Sequence, residues 1–450
     1  MNKGKVILEG VLELMSPLQI GSGMSDISDR DILLNSQDRP YIPASSFIGK
    51  LNAVISNQEF SNYLGIDAKM QSKLQLDDLE LIDENFTKSL RDGVRINNKT
   101  NLVEDGAKFD YQILEPGVFF LLKMYFDIGS EDDYVKCLEW IPMIVSILKE
   151  SFFIGARSAA GSGELSLQKV KVMKYDFSSK EDSIKYILGK EKDNCDDLTN
   201  YIKNINKNIF TIVGDFTIPS SLIVRAYPKS PYGSDAAHLK SNGIPILPGS
   251  SVRGALRARG ERILNTIWKG DDFVKTFLAV MFGYANVEKN QQYTIPSPFW
   301  VNEVVIKEVK MELQNRVLID RFTGGTIEGA LFDSMPVFPS SDEAQIEGLR
   351  LSIKDAFDSQ KGLLLLIFKD LYHGDLAVGG EKNVGRGCLK GLTASVFDSG
   401  DVFENIFGDN QNTEQWDKYI KALVDNTDRE EIKKRFNFFV PKVEKGAKNV

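Results

Sequence analysis

Apolar and polar positions alternate along KVILEGVLELM near the start of the chain and again along IFTIVGDFTI in its second half, and a period of two predicts a strand in each place. A polar loop follows each strand and leads to a Pro-x-Ser-Ser block, at 43–46 and 248–251. Apolar residues at helical spacing come next, in FIGKLNAVI and VRGALRARGERIL, so Ser45, Ser46, Ser250 and Ser251 are placed to cap helices. Further on, VKCLEWIPMIVSILKESF and KGLLLLIFKDLY predict strongly apolar helices. Each runs into a glycine-rich loop and then a closing strand, ELSLQKVKVM or CLKGLTASVF. Strand, helix, strands, helix, strand is the split pattern of an α+β, ferredoxin-like (RRM-like, βαββαβ) domain, and the chain carries it twice. The fold alone assigns no function.

The repetition extends to residues. PYIPASSFIGKL matches IPILPGSSVRGAL, with Ser45 on Ser250. VRINNKTNLVEDGAKFD matches VLIDRFTGGTIEGALFD, with Thr100 on Thr323, Gly106 on Gly329, Phe109 on Phe332 and Asp110 on Asp333. IGARSAAGSGEL matches VGGEKNVGRGCL, with Gly155, Gly161 and Gly163 on Gly379, Gly385 and Gly387. Three blocks in the same order identify a tandem duplication. The reading gives a first domain over 1–174, a linker rich in charge and amides over 175–207, a second domain over 208–399, and a C-terminal helix with a basic tail over 400–450.

With 450 residues the chain exceeds what one core ordinarily serves, in keeping with two domains. A net charge of −8 argues against a protein that coats nucleic acid indiscriminately, yet leaves room for a local basic groove. Cys137, Cys195 and Cys388 are too dispersed for a metal knuckle or a disulfide framework. No leader or membrane-spanning run is apparent, so a cytoplasmic setting without membrane contact is expected. P-loop, zinc-site and Ser/His/Asp patterns are lacking.

Positive charge gathers at two places. Arg253 and Arg257 stand four apart behind Ser250 and Ser251, so they share a helix face beside unpaired backbone N–H groups. The loop VGGEKNVGRGCLKG interleaves Gly379, Gly380, Gly385 and Gly387 with Lys382 and Arg386. Glycine is costly to order, and its concentration beside cations is expected where a polyanion backbone approaches the main chain. The first copy is poorer in charge, with Lys50 and Arg157 in the comparable regions. Arg321, Phe322 and Thr323 are the further RNA candidates, whereas Phe109 and Phe332 are expected in the core.

The succession of Pro-x-Ser-Ser-x-x-Gly, IDRFTGGTIEGALF and a terminal Gly-x-Gly loop resembles the RAMP superfamily. Within it, two such domains on one chain without a polymerase or nuclease domain are similar to the fused backbone subunits of type III CRISPR complexes of subtype D. The resemblance implies two RAMP palms holding guide crRNA, with thumb hairpins near 94–115 and 317–337 inserted into the guide–target duplex. It also implies other type III effector subunits as partners and cleavage of target RNA by an aspartate in the loop after the first strand, with a divalent metal such as Mg²⁺.

Aligning the loops with the family places Asp29 at the catalytic and metal-binding position of the first repeat and Asp235 at that of the second. Asp26 and Asp31 stand as alternatives. An aspartate in a polar loop also commonly serves as a turn former. Two further readings stay open: a crRNA-binding subunit without cleavage, and a metal-independent guide-processing endoribonuclease using His238 as base.

Overall fold

A computed structural model describes the whole chain except residues 1–2, 24–28, 66–70, 95, 98–99, 101–102, 105, 151, 191–194, 202–207, 227–233, 289–290, 408–413 and 436–450. The chain divides into two compact units: Met1–Arg95, Val103–Ser158 and Ser162–Ile205 in the first, and Ile96–Leu102, Ala159–Gly161 and Asn206–Val450 in the second.

The first unit is built from β1 (Gly4–Leu14), α1 (Ala44–Ile55), β2 (Leu79–Leu81), β3 (Lys88–Gly93), β4 (Phe109–Leu114), β5 (Phe119–Ile128), α2 (Glu131–Lys149) and β6 (Glu164–Asp176). Its sheet runs β6-β1-β5-β2, and β1 lies antiparallel to both neighbours. One face of the sheet (Leu8, Leu12, Phe120, Leu122, Met124 and Phe126) packs on Phe47 and Leu51 of α1 and on Ile144, Val145 and Leu148 of α2. Each such side chain contributes roughly 1.5–3 kcal/mol by leaving water. Ser130 and Asp133 close the start of α2 with a capping box, Asp133 N donating to Ser130 Oγ at 3.2 Å and Ser130 N to Asp133 Oδ2 at 3.0 Å. Two antiparallel strands, β3 and β4, form the root of the first hairpin.

The stretch expected to be a linker instead folds onto this unit. β6 continues to Asp176, Lys180–Ile187 is helical, and Asp196–Asp197 pairs with β6. Its polar composition hides a few apolar anchors: Tyr186 meets the Tyr175 ring at 5.4 Å, and Leu198 and Tyr201 pack against the core.

The second unit repeats the plan with β7 (Ile209–Thr217), α3 (Gly249–Ile267), β8 (Phe299–Val301), β9 (Gln314–Ile319), β10 (Thr326–Met335), β11 (Ile346–Lys354), α4 (Asp358–Tyr372) and β12 (Lys390–Asp398). The sheet order β12-β7-β11-β8 is the counterpart of that in the first unit. β9 and β10 form the second hairpin. Two C-terminal helices, α5 (Glu414–Asp425) and α6 (Arg429–Arg435), belong to this unit. The main chain of α5 passes so close to α4 that a Cβ on Gly362 would stand 2.3 Å from the Tyr419 carbonyl oxygen. Lys361 Nζ donates to both oxygens of buried Asp398 at 3.0 Å, and Tyr419 donates to the same carboxylate. No helix among the described residues is long and apolar enough to cross a membrane.

The serines do not cap their helices. Pro43 and Pro248 occupy the cap positions, and Ser45, Ser46, Ser250 and Ser251 lie in the first turn. The proline carbonyls accept the first helical bonds, from Phe47 N at 3.1 Å and from Ser251 N at 3.1 Å. In α1 the side-chain cap comes from Asp78, whose Oδ1 accepts from Ala44 N at 2.8 Å.

Candidate nucleic-acid interface

The two repeats share one construction at the hairpin root. In the first, Asp29 N donates to Asp110 Oδ1 at 2.8 Å and Asp110 N donates to Asp29 Oδ2 at 3.0 Å. In the second, Asp235 N donates to Asp333 Oδ1 at 2.5 Å and Asp333 N to Asp235 Oδ2 at 3.0 Å. The acidic loop after the first strand is thus clamped, carboxylate to main chain, onto the outgoing strand of the hairpin, β4 or β10. In each clamp both carboxylates accept a main-chain N–H of the partner aspartate, and this charge-assisted bonding holds the loop and the strand together at the surface. Asp31 lies beside the clamp, its strand Asp31–Ile32 paired with Gly21–Gly23, and Asp26 lies outside the described residues. Among the described residues no three metal-ligating side chains come together.

Beside each clamp the glycine loop reaches the hairpin through one residue of positive φ: Arg157 (62°) in the first repeat and Glu381 (55°) at the corresponding position of the second. Arg157 stacks on Tyr111 and Phe109 of β4, its guanidinium 3.7 Å and 4.9 Å from the ring centroids, with Arg30 over Phe109 from the other loop. Glu381 instead meets Arg316 of β9 at 2.9 Å, Arg386 at 2.9 Å and Arg225 at 3.2 Å. Phe109 and Phe332 are therefore hairpin-root residues rather than core. Phe109 is half-buried under arginine and Phe332 is exposed.

The glycines answer to the protein's own main chain. At Gly387 (φ 82°) a Cβ would stand 1.9 Å from the Val378 carbonyl oxygen, and at Gly163 of the first repeat 1.8 Å from that of Ile154. Gly379 is similarly hemmed by Ile223 O at 2.4 Å, while Gly380 N donates to that oxygen at 2.7 Å. Gly385 has open space around it. Arg386 is only 3% exposed and is held internally, donating to Glu381 at 2.9 Å, Ser221 Oγ at 3.0 Å and Gln314 Oε1 at 2.5 Å. Lys382 is exposed on the loop. The loop's concentration of glycine is thus a requirement of folding, and Gly385 with Lys382 forms its accessible part.

On α3 the expected basic face is partly internal. Arg253 is mostly buried, donating to Phe299 O at 2.7 Å, Ser297 Oγ at 3.1 Å and the Phe282 carbonyl, and burial pulls its pKa down to about 10. Arg257 is half-buried with a long contact of 3.5 Å to Gly283 O. Ser45, Ser46 and Ser250 are exposed, and Lys50 and Ser251 half-exposed. At the tip of the second hairpin Phe322 is 100% exposed between exposed Arg321 and Thr323. Asp320 Oδ1 shapes this tip, accepting from Phe322 N at 2.7 Å and Thr323 N at 3.0 Å.

His238 is not an accessible base. It is 2% exposed; its Nε2 donates to Ile246 O at 2.9 Å and its Nδ1 accepts from Val224 N at 3.2 Å. Burial lowers its pKa to about 4. The ring pins neighbouring strands, since Arg225–Ala226 pairs with Ala236–His238. Ala236 and His238 face inward on either side of half-buried Ala237, and the Ala-Ala-His sequence carries no apolar/polar alternation that would have revealed it.

The clamp partners Asp110 and Asp333 were aligned by the duplication but not singled out as site residues. Glu381, Arg225 and Arg316 were missed because no local pattern joins residues so far apart. Among known proteins, no curated protein matches the chain. A subunit in a structure titled "Cryo-EM structure of the Type III-B Cmr-beta bound to cognate target RNA" is 19% identical at a TM-score of 0.31, with 38% of this chain and 61% of that one covered. The profile described as "RAMP superfamily" matches residues 11–166 and 215–390, one segment in each repeat. The two-repeat chain belongs to the RAMP superfamily.

Proposed function

We propose that this chain is a guide-RNA-binding backbone subunit of a type III CRISPR ribonucleoprotein, and that it cuts complementary target RNA beside its hairpins through Asp29 and Asp235. The observation that carries the reading is the duplicated clamp: the same loop aspartate, on the same hairpin strand, in both repeats of a RAMP chain. The sheet order and the two helices on one face support reading each unit as a ferredoxin-like palm. The exposed tip around Phe322 suits stacking against bases. The surface carboxylate of the loop aspartate suits Mg²⁺, a hard cation that takes one or two protein carboxylates together with water and substrate phosphates. Such an ion would offset charge developing on the scissile phosphate. Asp29 and Asp235 would then orient the attacking 2′-hydroxyl or hold the ion, while Asp110 and Asp333 fix the loop.

A second reading, a crRNA-binding subunit without cleavage, is favoured by the same bonds, because a carboxylate that accepts from main chain already has a folding role. Alanine and asparagine at position 29 separate the two. Asparagine keeps an oxygen for Asp110 N but removes the charge. The catalytic reading expects Asp29→Asn and Asp29→Ala alike to lower cutting at one set of target positions by about a hundredfold or more in the assembled complex, guide binding being retained. Unchanged cutting in the Asn variant would leave Asp29 a clamp. The guide-processing reading loses its base with the burial of His238.

A further inference from the structure

The Glu381 carboxylate, 4% exposed, is ringed by three guanidinium groups from three segments: Arg225 before the acidic loop, Arg316 on the hairpin and Arg386 within the glycine loop. Arg386 is consumed internally by Ser221 and Gln314 as well. Arg225 and Arg316 are different. Their side chains are 49% and 22% exposed, and Glu381 is their one charged partner among the described residues. Within this cluster one carboxylate meets three cations, a local excess of two positive charges, and neither Asp235 nor Asp333 of the clamp on the same small sheet pairs with these arginines. Holding like-charged arginines together is eased by a further anion, and in an RNA-binding chain the phosphodiester, whose paired oxygens suit guanidinium forks, is that anion.

We infer that Glu381 is a positioning residue that presets Arg225 and Arg316 as a fork for an RNA phosphate at the second hairpin root. The inference rests on the RNA-binding reading above and adds to it a site and a division of labour. The corresponding residue of the first repeat, Arg157, has the opposite charge and is stacked on rings. The fork therefore belongs to the second repeat alone, so the two repeats hold RNA unequally.

The test turns on the sign of an effect. Glu381→Gln adds one unit of positive charge, so charge counting alone expects tighter RNA binding and a steeper salt dependence. Positioning expects the reverse. With the full chain and a fluorescein-labelled single-stranded RNA of mixed sequence, Glu381→Gln should bind about tenfold more weakly, with a log K against log salt slope shallower by about 1. Arg225→Gln, at a half-exposed side chain, should weaken binding similarly, and the double variant should be no weaker than either single one, because all disable one fork. Binding by Glu381→Gln as tight as or tighter than wild type overturns the inference, as does normal binding by Arg225→Gln should the first variant fail to fold. Wild-type protein that binds no RNA overturns the RNA-binding reading itself.

Discussion

Burial keeps the His238 imidazole neutral in the folded chain down to about pH 4, whereas in the unfolded chain it titrates near the ordinary value of 6.5. Between these values only the unfolded chain takes up the proton. The stabilisation is therefore complete above about pH 6.5 and is lost as pH falls towards 4, by about 3 kcal/mol in all. Urea unfolding across this range should show the loss, and His238→Gln, which keeps an Nε2 donor for Ile246 O, should flatten the profile. Gly387 and Gly385 make a second pair of expectations. Gly387→Ala sets a Cβ against the Val378 carbonyl and should cost about 3 kcal/mol or more. Gly385→Ala, in open space at the same sign of φ, should cost about 1 kcal/mol, the intrinsic penalty of that conformation. Both are read from thermal or urea unfolding. In the sequence these glycines are indistinguishable, because what separates them is a carbonyl brought close by folding.

At the scale of elements, periodicity located the main strands and helices correctly, since burial on one face imposes the pattern directly. It failed where a different residue took over a local task. Proline took the cap positions expected of the serines, Asp78 supplied the side-chain cap of α1, and three aromatic or apolar side chains folded a polar segment back onto the first unit. The C-terminal helix is legible in the sequence, but its anchoring is not, because Lys361, Asp398 and Tyr419 meet only in three dimensions. Lys361→Met should destabilise the second unit by about 3–5 kcal/mol by leaving Asp398 buried without its cation. The hairpin tip behaves oppositely. Phe322→Ala should alter stability by no more than about 0.5 kcal/mol, since the ring touches solvent alone, yet weaken RNA binding by about 1–3 kcal/mol if it stacks on a base. Unfolding and RNA titration of the same variant check both halves.

Across the whole molecule the duplication was the most legible feature, and it led to the clamps, since residues aligned between repeats proved to make the same bonds. The duplication also exposes what differs: at one loop position an arginine stacked on aromatic rings stands opposite a glutamate gathering arginines. Sequence reading assigned RNA contact to Arg253 and Arg386 from charge and spacing. The structure engages both internally, whereas Arg225, Arg321 and Lys382 are exposed. A charge can be counted in a sequence, but its exposure depends on which distant carbonyls and carboxylates surround it. The central claim, that each repeat holds RNA at its hairpin root, is tested most directly by ultraviolet crosslinking of the RNA that copurifies with the protein, followed by identification of the crosslinked peptides. The account predicts crosslinks near the hairpin and glycine loop of each repeat, including the peptide around Phe322. Crosslinks confined to surfaces away from both hairpins, or no copurifying RNA at all, would contradict it.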